Sequence, residues 1–433
     1  MSQEKKLGLW TSTSLVIGNM IGSGIFFLPV ALAAYGAISL LGWVVSSAGA
    51  IFLALVFVKL SRQFPNEDGG PYIYASRGLG HFAGFLASWG YQISNLATNA
   101  AIVVAFVSYL SVLIPQLAEN PVYSLLTSLA VVWLLTWVNT LGIKEAGYVQ
   151  LASTILKLVP LILVTMAGLF YIDFNNFSPI NISEVSDFKA VTATATITLF
   201  AFMGLEVATV PGKSIRNPEK TVPRATIIGT LATTGIYILS SLALMGMINP
   251  AELQNSNAPF ADAAGLIWGD AGRYLITIGA LISTFGALNG WILLQGQISY
   301  AAAKNGNFPG IFARTNKNGA PATALLISGV IVSILLIMNY SRGMGGAFEF
   351  LILLTASTVL IPYLFSAAAF LIVFQVSGIS RTKQVWNITL GLLAFGYCMW
   401  AMIGAGQESM AWGSVSLLLG IPIYVFVNRN KKV

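Results

Sequence analysis

Two short stretches of an otherwise apolar chain carry residues able to grip a polar solute. Gly22-Ser23-Gly24 is followed by Pro29 and Gly204-Leu205-Glu206 by Pro211, each proline seven residues after the first glycine. Glycine weakens a helix, and an unwound turn within lipid bares amide and carbonyl groups that hydrocarbon cannot satisfy. Free amides at the start of a half-helix suit a carboxylate, and freed carbonyls suit an ammonium group. A pair of broken helices is therefore matched to an α-amino acid. The competing reading of Gly22 to Gly24 is close helix packing through small residues.

Two ionisable residues lie deep inside apolar runs, where a charge costs about 2.5–3.5 kcal/mol even on a lenient scale. Glu206 belongs to the second glycine stretch and could receive a cationic group or a proton. Lys157 stands about eleven residues into its run, about 16 Å at helical rise, too deep to snorkel comfortably. Desolvation penalises a buried ammonium, so Lys157 is a candidate to load and release a proton. The alternative is a permanently charged strut that bonds the broken first helix and takes the place of a bound cation. Trp291, mid-run beside Gly290, is better placed to line a cation path than Trp386 or Trp412 near the ends of theirs, although packing and anchoring are the commoner uses of tryptophan in a span.

Other chemistry finds little support. The single cysteine, Cys398, permits no intrachain disulfide and no cysteine metal cluster, and His81 is the only histidine, so no metal set is expected. The stretch DGGPYIYASRGLG (68–80) follows no strand and lacks a phosphate-binding lysine, so no nucleotide or other cofactor is expected. An enzyme would need clustered His, Cys or carboxylate groups. A channel would need a continuous polar pore.

The elements that must position these residues are membrane spans. Of 433 residues 56% are hydrophobic and only 9% charged, against about a quarter charged in a soluble domain. Apolar runs place spans near 10–35, 37–61, 82–113, 121–140, 146–172 and 189–212, then near 225–248, 272–303, 321–340, 347–376, 386–405 and 410–427. The expected fold is an all-α polytopic membrane protein of about twelve helices in one domain over 1–433. The polar start, Met1 to Lys6, precedes a run with no small-residue cleavage site and reads as the cytoplasmic end of a retained first span. With both termini inside, only Lys189, Arg273 and Arg342 among the 22 Lys and Arg fall outside, and Lys157 stays within a span. The formal charge of +7 then reflects orientation, not nucleic-acid binding. The first glycine stretch lies in a span running outward and the second in one running inward. That is the sign of an inverted repeat, with chance recurrence of two common residues as the alternative.

In order along the chain, GNMIGSGIFFLP (18–29), FAFMGLEVATVPG (200–212), NPEKTVPRATIIGT (217–230), SNAPFADAA (256–264), GWILLQGQ (290–297), GNFPGIFARTNKNGAP (306–321) and YCMWAMIGAG (397–406) resemble the amino acid, polyamine and organocation transporter superfamily. The resemblance is nearest to its basic amino-acid and polyamine antiporters, particularly the arginine/agmatine type. It implies a LeuT-like five-plus-five inverted repeat, about 10–172 and 189–376, with discontinuous helices 1 and 6 and peripheral helices over about 386–427. It further implies that Gly22, Ser23 and Gly24, with Ile21 beside them, hold the substrate carboxylate, and that the sixth-span break holds the amino group, lined by Phe200, Ala201 and Met203. Asn99 would lie near the substrate side chain, Trp291 would form the eighth-span wall, and Thr355 stands where a cation-binding serine is found. Tyr91, Glu206 and Tyr363 would act in gating. Lys157 resembles the fifth-span lysine of proton-coupled relatives. Phe200-Ala201 replaces a tryptophan followed by serine or alanine in the antiporters resembled.

The expected activity is secondary transport in the cell inner membrane, exchanging amino acids or their amines, with a cationic substrate such as arginine or agmatine favoured. The alternative is proton symport of neutral amino acids through Lys157. The partners implied are an amino acid or polyamine, protons, the lipid bilayer and, as in the antiporters resembled, a second copy of the chain.

Overall fold

The structure, a computed structural model, describes residues 7–64, 70–141, 146–207, 215–374 and 380–429. Pro211 lies outside the described residues, as do Lys5, Lys6, Lys144, Lys213, Lys431, Lys432 and the side chain of Ser23.

Helices begin and end where local chemistry demands. α1 (Leu9–Met20) and α2 (Ser23–Ala33) form the first span, interrupted between them, and α3 (Ser39–Gln63) forms the second. A short α4 (Pro71–Leu79) leads into α5 (His81–Leu110), with Gly80 at φ 92° making the corner. α6 (Pro121–Thr140) starts with proline at its first position, where no amide partner is lost, and the Asn120 side chain caps it by accepting from Val122 N at 2.9 Å. α7 (Ala146–Gly168) carries Lys157. α8 (Asp187–Leu199) is too short to cross a bilayer alone, because the sixth span breaks after it. α9 (Pro218–Met247) and α10 (Pro259–Lys304, bent at Gly269) follow, then α11 (Ala322–Asn339) and α12 (Gly343–Val373). α13 (Arg381–Gly404), α14 (Gly406–Leu418) and α15 (Gly420–Asn428) close the chain.

Among the described residues nine stretches are long and apolar enough to cross a membrane, one of them joining α11 and α12. With α7 and the interrupted sixth span, the helices occupy the twelve expected spans. Large apolar side chains such as Leu266, Ile337, Leu419 and Phe426 face outward, while the interior mixes large apolar side chains such as Trp43, Phe26 and Phe57 with buried Ser and Thr. Some buried hydroxyls are satisfied locally: Thr194 donates to Ala190 O at 2.8 Å and Thr284 to Ala280 O at 2.7 Å, so each sits in an apolar helix without a distant partner. α5 packs against α10 and α12, α9 against α1 and α3, and α3 also against α8. These helices enclose both halves of the first span.

Candidate functional site between the broken helices

The first break is narrower than its glycines suggest. α1 stops at Met20, Ile21 (φ −81°, ψ 87°) and Gly22 (φ −122°, ψ −130°) leave helical geometry, and the helix resumes at Ser23. Ser23 and Gly24 therefore form the first turn of α2 and do not belong to the unwound segment. They are among the residues whose amides have no intrahelical acceptor and stand at the positive end of a helix dipole. The second break follows α8. Phe200–Phe202 tighten into a 3-10 turn, Met203 is extended, and Gly204 turns at φ 100°, a conformation natural to glycine. A Cβ at Gly204 would come within 3.1 Å of Asn19 Cβ and 3.3 Å of Met20 N. One at Gly24 would come within 3.4 Å of Ala201 Cα. The two breaks thus touch.

Between them lies a cavity of only about 10 Å3, room for about one water. This is below the roughly 300–1,000 Å3 of open small-molecule sites. Gly22, Gly24, Phe200, Met203 and Trp291 line it, joined by Asn19 and Met20 of α1 and Thr98 and Ile102 of α5. Trp291 and Phe200 supply the aromatic wall, with Phe200 held edge-on against Phe348 at 6.0 Å. Ile21, Asn99, Ala201 and Thr355 are also buried nearby but are not on the cavity wall. Asn99 Oδ1 is buried with no hydrogen-bond partner among the described residues. Thr355 Oγ1 donates to Ser94 O at 3.4 Å.

Both deep ionisable residues have partners inside the protein. Lys157, 2% exposed, donates from Nζ to Gly18 O at 2.6 Å. That carbonyl belongs to the last turn of α1, the negative end of its dipole, so the amine caps the helix just before the break. Glu206 is fully buried, and its carboxylate accepts from the hydroxyls of Tyr91 (2.6 Å) and Tyr363 (2.7 Å) and from Gly204 N (3.2 Å). The structure thus brings the expected residues Tyr91, Glu206 and Tyr363 into one cluster that ties the sixth span to α5 and α12.

Two tyrosines were missing from the sequence reading. Tyr237 Oη of α9 lies 2.5 Å from Met20 O and 3.0 Å from Ala201 O, so one hydroxyl serves the last carbonyls of both interrupted helices. Tyr109 donates to Phe26 O at 2.8 Å and accepts from Phe260 N at 3.2 Å, fastening α2 to the start of α10. Each stands in an apolar run, and a phenol in hydrocarbon needs a partner for its hydroxyl. That was the signal available.

A family model described as amino acid permease matches residues 7–427. The chain belongs to this amino acid permease family. The permease is similar to the putrescine transporter PotE of Escherichia coli K12 (32% identity, covering 99% of this chain and 98% of the relative) and that of Haemophilus influenzae (30%, 99% and 98%). It is similar as well to a cadaverine/lysine antiporter of E. coli K12 (32%, 98% and 95%). Among solved structures it resembles a Na+-coupled sialic acid symporter in a substrate-bound outward-open state, with a TM-score of 0.57 at 11% identity over 96% of this chain and 91% of that one. That likeness shows the LeuT-like fold with discontinuous helices 1 and 6. The permease is therefore a multi-pass membrane transporter of amino acids or polyamines and not an enzyme.

Proposed function

We propose that this permease exchanges a cationic α-amino acid for its decarboxylated amine across the inner membrane, with lysine/cadaverine, ornithine/putrescine and arginine/agmatine as the candidate pairs. The observation that carries this reading is the meeting of the two breaks at one small aromatic-walled cavity. The free amides at the start of α2 receive the substrate carboxylate, and the carbonyls around Phe200 to Met203 receive the amino group. Trp291 and Phe200 attract the distal cation through their ring faces, and Asn99, next in the chain to the wall residue Thr98, carries an unpaired oxygen that widening of the cavity would bring to it. A decarboxylated amine lacks the carboxylate, so it forgoes the α2 amides and is the more readily released. The relatives that handle putrescine, or cadaverine and lysine, support the cationic class.

In this reading the protein alternates between states open to either side. Glu206, Tyr91 and Tyr363 close the path at one end, and Tyr109 with Phe26 and Phe260 closes it at the other. The side bearing the N-terminus is cytoplasmic, as the basic residues suggest. In proteoliposomes, uptake of labelled lysine, ornithine or arginine is expected only when internal substrate is present, and external amine should compete. Absence of counterflow with every cationic amino acid and polyamine would overturn the proposal.

The bond from Lys157 to Gly18 O favours a second reading, in which proton exchange on the amine frees and re-forms the end of α1 during symport of a neutral amino acid. It predicts accumulation driven by a pH gradient without internal substrate, lost in Lys157→Ala. A variant that keeps pH-indifferent exchange makes Lys157 a strut.

A further inference from the structure

Away from the central cavity, a groove opens where three helix ends meet: the end of α3, the end of α12 and the start of α13. Lys59, Arg62 and Lys383 line it, with Phe374, Trp386 and Asn387. Its electrostatics are one-sided. Lys59 and Arg62 stand one turn apart on α3, and Lys383 enters from the first turn of α13. No carboxylate pairs with any of the three among the described residues. The first turn of α13 also holds Arg381 and no acidic residue, and Ser380 gives it no side-chain cap, so two cations sit at the positive end of a helix dipole. That placement is unfavourable unless an anion is present. Lys59 is held toward the groove by a bond to Asn387 Oδ1 and by the Phe370 ring, 5.9 Å from its Nζ. Trp386 is 56% exposed at the same level. An exposed indole beside cations at the ends of membrane helices is the chemistry of a headgroup layer, since acyl chains can follow the apolar helix sides below.

We propose that this groove binds the phosphate of an anionic phospholipid, with Arg62 and Lys383 as its unpaired cations, Lys59 behind them, the α13 amides as further donors and Trp386 against the glycerol region. The site is separate from the substrate cavity and joins the second span, the tenth span and the first peripheral helix.

The test uses the purified full chain in detergent, with thermal stability and native mass spectrometry as readouts. Phosphatidylglycerol, phosphatidylcholine and inorganic phosphate are titrated separately. The expected result is retention of phosphatidylglycerol and a raised melting temperature, little effect of phosphatidylcholine, and none of inorganic phosphate. In Arg62→Gln/Lys383→Gln apparent affinity for phosphatidylglycerol should fall roughly tenfold or more. A control removing equal charge elsewhere, Arg314→Gln/Lys317→Gln, should bind as the parent does. Equal binding of phosphatidylcholine, undiminished binding by the groove variant, or an equal loss in the control would overturn the proposal. Stabilisation by inorganic phosphate matching that by phosphatidylglycerol would overturn the lipid assignment in favour of a free-phosphate site. Since both substituted side chains are exposed and unpaired, the variant's melting temperature without lipid should match the parent, which separates lost binding from lost folding.

Discussion

A phenol has one proton to give, yet Tyr237 has two carbonyls within reach, one from each interrupted helix. Removing the hydroxyl in Tyr237→Phe keeps the ring packed edge-on against Phe202; Met20 O retains Gly22 N at 3.0 Å, while Ala201 O loses the hydroxyl at 3.0 Å. A buried carbonyl deprived of its donor costs about 1–3 kcal/mol. The variant should unfold at lower temperature and bind substrate several-fold more weakly by calorimetry. Unchanged stability and affinity would mean the hydroxyl does not hold the two ends. The Glu206 cluster obeys the same rule at larger scale. Tyr91→Phe removes one donor from a carboxyl that keeps Tyr363 and the Gly204 amide, whereas Glu206→Ala strands two hydroxyls and that amide. The expected cost is about 1 kcal/mol for the first and about three times that for the second, readable as the order of melting temperatures. Tyr363→Phe should resemble Tyr91→Phe. Lys157 and Glu206 were legible in the sequence because charge in hydrocarbon demands a reason. Their partners were not: nothing in the chain names Gly18 O, since any carbonyl freed by a break would serve equally well in one dimension.

At the level of elements, the paired glycine and proline pattern was enough to place two interrupted spans, and the interruption is where the physics of unsatisfied backbone required it. Its exact position was not readable. The helix resumes at Ser23 because Gly24 can then rest against Ala201, a contact between spans far apart in sequence. The two glycines should accordingly respond differently to the same change. Gly204→Ala forces a side chain into a left-handed turn and against Asn19, so it should lose about 1–3 kcal/mol of stability together with transport. Gly24→Ala meets only ordinary van der Waals contacts. It should fold with near-parental melting temperature while filling part of an already small cavity, so that substrate affinity drops and stability does not. Equal thermal loss in both variants would contradict the distinction drawn between the two breaks.

At the level of the whole molecule, transport by alternating access requires the start of α1 to separate from the segment that follows the sixth span. These parts are joined in this state: Leu7 and Ile215 form an isolated parallel bridge, and Arg216 N donates to Leu7 O at 2.9 Å. Both breaks lie on the same two spans, so a clamp at this bridge should restrain the motion of each. The only native thiol, Cys398, is buried and will not compete. Leu7→Cys/Ile215→Cys should therefore form a reducible cross-link in high yield. Oxidation should stop counterflow in proteoliposomes and reduction should restore it, while each single variant transports under both conditions. The cross-link should leave substrate affinity in detergent largely intact, because the cavity lies deeper, between Gly22, Phe200 and Trp291. Continued exchange by the fully cross-linked protein would show that α1 does not part from this segment, and the path would then have to open between α5 and α12 at the Glu206 cluster instead.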